Sequence, residues 1–136
     1  MKSQKSGAEK GVSPTRRANR LSVIAIKRAY DKRARDDGIR ILIDRLWPRG
    51  LSKDALKYEA WPRALAPSAE LRKWYGHDPQ RFAEFRRRYR TELAARTVEL
   101  AGLRAMIDGH TATLLSATRE LNLSHAVVLR EALEEL

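Results

Sequence analysis

Apolar residues in this chain fall into two patterns. Short runs of consecutive, mostly β-branched residues lie towards the start and towards the end, and between them apolar residues recur three or four apart. Runs of the first kind, bounded by turn residues, read as buried strands, and the second spacing reads as amphipathic helix. Order is expected from residue 21. Within residues 21–29, Val23, Ile24 and Ile26 predict a first strand. A charged run follows over residues 32–37, and Gly38 permits a turn into a second strand from Ile39 to about Leu46. Ile41, Leu42 and Ile43 are consecutive, which predicts a strand covered on both faces, hence central and parallel.

The helical stretch is punctuated by caps. Ser52 starts a short helix through Leu56, and an irregular segment carries Trp61 and Leu65 inward. Ser68 starts another helix over residues 69–75, which Gly76 stops. Asp78-Pro79 pairs an N-cap acceptor with a proline suited to the first helical position. Phe82, Phe85, Tyr89 and Leu93 then form one buried stripe, with Arg81, Arg86, Arg87, Arg88 and Arg90 on the other faces. Thr97 is placed as the cap of a further helix burying Leu100, Leu103, Met106 and Ile107, ended by Asp108-Gly109. Residues 111–117 predict a third strand. Ser124 caps a last helix that buries Val127, Val128 and Leu133. The long helical excursion between the second and third strands is a crossover, which implies parallel pairing. The fold class expected is α/β: a small three-layer domain with a mostly parallel sheet and flanking helices.

Composition narrows what such a domain does. Its 136 residues suit one domain. The absence of cysteine excludes disulfides, thiolate metal sites and cysteine nucleophiles. No apolar run approaches the ~20 residues of a membrane span, and the basic N-terminus is not followed by an apolar signal core. A cytoplasmic protein without a membrane partner is the expectation. The net charge is +11, of which residues 1–20 hold +5 and the remainder +6. Residues 1–20 read as a disordered basic tail, and residues 21–136 as a single domain that is basic in its own right. That balance favours phosphates, on nucleic acid or on small anions.

In an open parallel sheet, ligands sit beyond the carboxyl ends of the strands. The three strand exits carry Tyr30, Asp31 and Arg33; Asp44, Arg45 and Arg49; and Thr118, Arg119 and Glu120, leading into the capped helix start bearing His125. Arginine donors, an imidazole and a helix N-terminus at one edge suit an anion. In this arrangement Arg45, Arg49 and Arg119 hold the anion and Asp44 orients an arginine. Acid–base candidates are His77, His125 and Asp44. Bland roles compete: Asp44 with Arg45 or Arg49 as a structural ion pair, Arg119 as a clamp on Asp44, Gly76-His77-Asp78 as a capping motif. Ser116, His125 and Asp44 can be written as a triad only by assuming geometry. No Gly-rich phosphate loop, nucleophile elbow or His-Glu-x-x-His helix occurs.

Several segments together resemble a known family. Lys27-Arg28-Ala29-Tyr30-Asp31, Asp44-Arg45-Leu46-Trp47-Pro48-Arg49-Gly50, Trp74-Tyr75-Gly76-His77-Asp78-Pro79 and His125-Ala126-Val127-Val128-Leu129 are similar to the domain of unknown function 488, in its YeaO-like branch. The resemblance spans about residues 22–133. It implies a small cytoplasmic α/β protein with no settled activity, and it places Asp44, Arg45, Arg49, His77, Arg119 and His125 among the characteristic polar positions. Where family members usually carry His-Asn-His, this chain has Leu123-Ser124-His125, which disfavours a two-histidine metal or haem site. No metal and no cofactor are therefore expected. The favoured reading is a site for a small anion or phosphate-containing ligand at the carboxyl edge. The competing readings are a nucleic-acid-binding module using the tail and the Arg-rich helix, and an interaction protein without a ligand. Reaction and oligomeric state are not legible.

Overall fold

A computed structural model describes residues 23–136; the expectations for residues 1–20, and for Leu21 and Ser22, lie outside these. Strands β1 (Val23–Arg28), β2 (Ile39–Leu42) and β3 (Thr111–Ser116) form a sheet in the order β1-β3-β2, with both pairings parallel. The helices are α1 (Lys53–Leu56), α2 (Ala69–Tyr75), α3 (Phe82–Ala94), α4 (Thr97–Ile107) and α5 (His125–Glu134). The α/β class and the parallel crossover are as expected.

The order of the strands is not. β3 is central, and β2 lies at one edge. Its apolar run is nonetheless shielded because the chain returns alongside it. Ala60 bridges Ile41, the Leu42 N–H donates to the Ala60 carbonyl at 2.9 Å, and the Glu59 N–H donates to the Arg40 carbonyl at 2.7 Å. Covering by a single bridging segment looks, in sequence, like covering by a neighbouring strand. β2 is also shorter than expected. Ile43 still donates to the Leu115 carbonyl at 3.0 Å, after which the backbone leaves the sheet at Asp44.

Alternation along the strands splits the core in two. Ile41, Ile43 and Leu114 pack with Phe85, Tyr89, Leu103 and Leu129 against α2 to α5. Leu42 and Leu115 face the other way, onto Leu56 and an aromatic layer of Trp47, Tyr58 and Trp61. The sheet thus lies between a thick helical layer and a thin one built from α1 and its loops.

Four of the five predicted caps are made. Ser52, Ser68 and Ser124 each accept a backbone N–H of their helix at 3.1 Å, and Asp78 accepts from Gln80 at 3.0 Å. Pro79 opens a short 3-10 turn rather than α3 itself. Thr97 is the first residue of α4, whose N-cap Arg96 makes no side-chain cap bond. Met106 is exposed and Val127 only partly buried, so these two inward assignments are corrected. Each lies at the margin of its helix's apolar stripe, where one side-chain width separates core from solvent.

Candidate functional site

Because all the strands run parallel, their exits meet at one edge, and a cleft of about 470 Å³ opens there. Asp44 forms its floor. The carboxylate accepts the Ser116 hydroxyl at 2.8 Å and the Ala117 N–H at 2.8 Å. His125 Nε2 lies 2.9 Å from Asp44 Oδ1, at ion-pair distance but off the axis of a regular hydrogen bond. Burial raises the Asp44 pKa, but His125, the Ala117 amide and the Ser116 hydroxyl outweigh it, and the carboxyl is held below the usual carboxylate range.

This geometry corrects one expectation and does not supply the arrangement a triad would need. Asp44 orients no arginine: Arg45 donates instead from Nε to the Pro67 carbonyl at 3.2 Å, fastening the turn to the start of α2. Nor do Ser116, His125 and Asp44 form a relay. In a catalytic triad the imidazole stands between hydroxyl and carboxylate, whereas here Asp44 Oδ1 stands between Ser116 and His125. Removing the hub should be felt. We expect Asp44→Ala to cost roughly 1–3 kcal/mol of stability in urea unfolding, because the Ala117 amide and Ser116 hydroxyl lose their acceptor; Asp44→Asn should cost less. The folded pKa is depressed, so this contribution is present above the ordinary carboxylate pKa near 4 and is lost as pH falls through the folded value.

The cleft brings together Asp44, Arg45, Arg49, His77 and His125, but not Arg119, which is exposed on the exit loop and does not line it. His77 sits on the rim in a left-handed conformation (φ 57°) directly after Gly76 (φ 53°). Two cations absent from the expected set line the cleft: Arg72 and Lys73, near the end of α2. Their signal in the sequence is only that of a polar helix face; the packing of α2 on α3 directs them to the site. Among the described residues, the side chains of Arg49, Arg72 and Lys73 enter no ion pair. The cleft therefore sets four cations (Arg45, Arg49, Arg72 and Lys73) against one carboxylate whose oxygens already have partners.

The arginines of α3 are placed differently. Arg86 pairs with Glu131 at 2.7 Å, Arg87 and Arg88 with Glu84 at 2.5 and 2.8 Å, and Arg90 with Glu135. Hydrogen bonds from Arg87 and Arg88 pull the Glu84 carboxyl down to about 2. Arg88 also lies over the Trp74 ring at 4.3 Å. These guanidinium groups are largely spoken for by α3 and α5.

Among the described residues, no group of three or more His, Asp or Glu is arranged to hold a metal ion, and no helix is long and apolar enough to cross a membrane.

Fold and cleft together define a small parallel α/β protein with a basic pocket at the carboxyl edge of its sheet. The chain belongs to the DUF488 family: residues 23–136 match the model described as the "Inactive DUF488-N3 subclade". It is similar to the uncharacterised protein Rv3073c of Mycobacterium tuberculosis strain H37Rv, at 43% identity over 110 residues, or 81% of this chain and 92% of that protein. It is also similar to the uncharacterised protein YeaO of Escherichia coli K12, at 39% identity over 113 residues, or 83% of this chain and 98% of that protein. No solved structure matches it significantly.

Proposed function

We propose that the cleft at the carboxyl edge binds a small anion, phosphate or a phosphate-bearing ligand, without carrying out chemistry on it. The observation that carries this reading is the surplus of cations over available carboxylate in the cleft, none of the four with an ionic partner among the described residues. Guanidinium groups suit oxyanions because their donors are paired and planar, and the N-terminus of α5 behind Ser124 adds positive potential. The description of the subclade as inactive supports binding over catalysis, as does the order of Ser116, Asp44 and His125.

Thermal melting tests this. Phosphate at ten times its Kd should stabilise the protein by about 1.4 kcal/mol, a rise of a few degrees in Tm. Arg72→Glu combined with Lys73→Glu should remove the rise. Arg119→Ala should leave it in place, since Arg119 is outside the cleft. A melting curve unmoved by excess phosphate or sulfate would sink the proposal.

A further inference from the structure

Tyr30 lines the cleft, and it also lines a second concavity of about 590 Å³ beside it. The second groove is basic too. Lys32, Arg33, Arg35 and Lys57 line it, and none of the four enters an ion pair among the described residues. Its one acidic residue, Asp31, accepts the Arg28 backbone N–H at 3.2 Å. Two basic grooves therefore meet at a single aromatic side chain.

Tyr30 is built to stay there. Its hydroxyl donates to the Arg49 carbonyl at 2.8 Å, tying the exit of β1 to the turn after β2. The Arg28 guanidinium lies 5.1 Å from its ring centroid and is itself held by the Thr118 carbonyl at 3.0 Å and the Ala117 carbonyl at 3.2 Å. Tyr30 nevertheless remains 41% exposed, among the few large hydrophobic residues so exposed in the described part of the chain.

We infer that the two grooves form one path for a short single-stranded nucleic acid, with an unpaired base stacked on Tyr30 and phosphates on either side of it. This rests on the small-anion reading of the cleft and names the class of its ligand. A positively charged groove that follows a backbone, interrupted by an exposed aromatic ring, is the general chemistry of single-strand binding. A bare polyphosphate would use the cations and have no use for the ring. A duplex keeps its bases stacked inside and cannot bring one flat onto Tyr30. None of the arginines of α3 lines the path; they are paired within the protein.

The test is fluorescence anisotropy of the full-length protein with a labelled oligothymidylate of about ten nucleotides, a length within the range bound by single-strand modules. Inorganic polyphosphate and a duplex of equal length serve as competitors. Arg33→Glu with Arg35→Glu should weaken oligonucleotide binding roughly tenfold or more and reduce the slope of log K against log salt by about 0.7 for each phosphate that is no longer neutralised. Tyr30→Ala should weaken it about tenfold, whereas Tyr30→Phe, which keeps the ring, should not. The duplex should compete less well than the single strand. Arg33→Glu with Arg35→Glu should leave the phosphate-induced rise in Tm unchanged, because neither side chain lines the first cleft. If that rise persists while oligonucleotide binding is indifferent to both sets of variants, the path is refuted and the small-anion site stands. If Tyr30→Ala weakens polyphosphate as much as oligonucleotide, base stacking is refuted. If phosphate never shifts Tm and oligonucleotide binding does not respond to Tyr30, Arg33 and Arg35, the small-anion reading and the single-strand path fall together.

Discussion

Gly38→Ala should unfold this protein or cost it more than about 3 kcal/mol, an effect beyond that of most single substitutions. Two causes add. Gly38 has φ 66° and ψ −136°, in a region essentially closed to residues with a side chain, where strain costs roughly 1–3 kcal/mol. A Cβ there would also lie 2.0 Å from the Thr111 carbonyl oxygen and 2.6 Å from its carbon. Those atoms are backbone at the start of β3, which cannot give way without moving the central strand off both neighbours. Gly50→Ala is the internal control. Gly50 also has a positive φ, 84°, but nothing lies within 4 Å of its would-be Cβ. It should lose only the conformational part, about 1 kcal/mol. Chemical denaturation of the two variants measures the difference, and equal losses would show that the approach to Thr111 is unimportant.

Asp37→Ala should destabilise the protein by about 3–5 kcal/mol, the range for stranding a buried charge. Arg40 is 1% exposed and points into the interface between β2 and α1. Its guanidinium donates to the Asp37 carboxylate, to the Leu56 carbonyl at 2.7 Å and to the Lys57 carbonyl at 2.7 Å. Asp37 in turn accepts the Ala34 N–H at 2.9 Å and Lys27 Nζ at 3.0 Å. One carboxylate thus balances two cations at the corner where β1, β2 and α1 meet. Without it, Arg40 keeps its carbonyl partners but loses its counter-charge. Asp37→Ala with Arg40→Met should cost less than the sum of the single changes, because the second substitution removes the charge that the first one strands. Strict additivity in that double-mutant cycle would contradict the account.

The same carboxylate governs part of the acid limb of stability. Burial raises the Asp37 pKa, but the Ala34 amide, Lys27 and Arg40 together bring it below its ordinary value. Its contribution is therefore complete above about pH 4 and disappears as pH falls through the depressed folded value. Asp44 behaves alike for a different reason, with His125, Ala117 and Ser116 as partners. Stability measured between about pH 4 and 2 should fall less steeply in Asp37→Ala and in Asp44→Asn than in the wild type, since each variant has one such carboxylate fewer to protonate.

The two corners explain each other's position in the fold. Gly38 and Asp37 fix where β2 starts, by close approach to Thr111 and by a hydrogen bond of 2.7 Å from the Thr113 hydroxyl to the Asp37 carbonyl. Asp44 fixes where the chain leaves the sheet, by its bonds to Ser116 and Ala117 at the end of β3. Between them the strand has a defined register, Ile39 opposite Ala112 through Leu42 opposite Leu115. The cleft stands beyond the second anchor, so the rigidity of the site depends on the first.

Local chemistry alone determined the elements of this protein. Side-chain caps at Ser52, Ser68 and Ser124 and the three-to-four spacing from Phe82 to Leu93 depend only on near neighbours in the chain, so the helices were legible, as were the starts of α1, α2 and α5. The long crossover made the sheet parallel, and parallel strands carried their polar exits to one edge, which located the site. What only the tertiary structure decided was which residues meet. β3 rather than β2 is central, and β2 is covered at the edge by the bridge between Ala60 and Ile41, a pairing across many residues that no period in the sequence encodes. Arg72 and Lys73 entered the cleft, and Arg119 stayed out of it, through the packing of helices and the course of a loop. The arginines of α3 looked available until α5 brought Glu131 and Glu135 against them. Hydrophobic spacing specifies which face of an element is buried; which charge meets which is set by distances between elements, and those exist only in the folded chain.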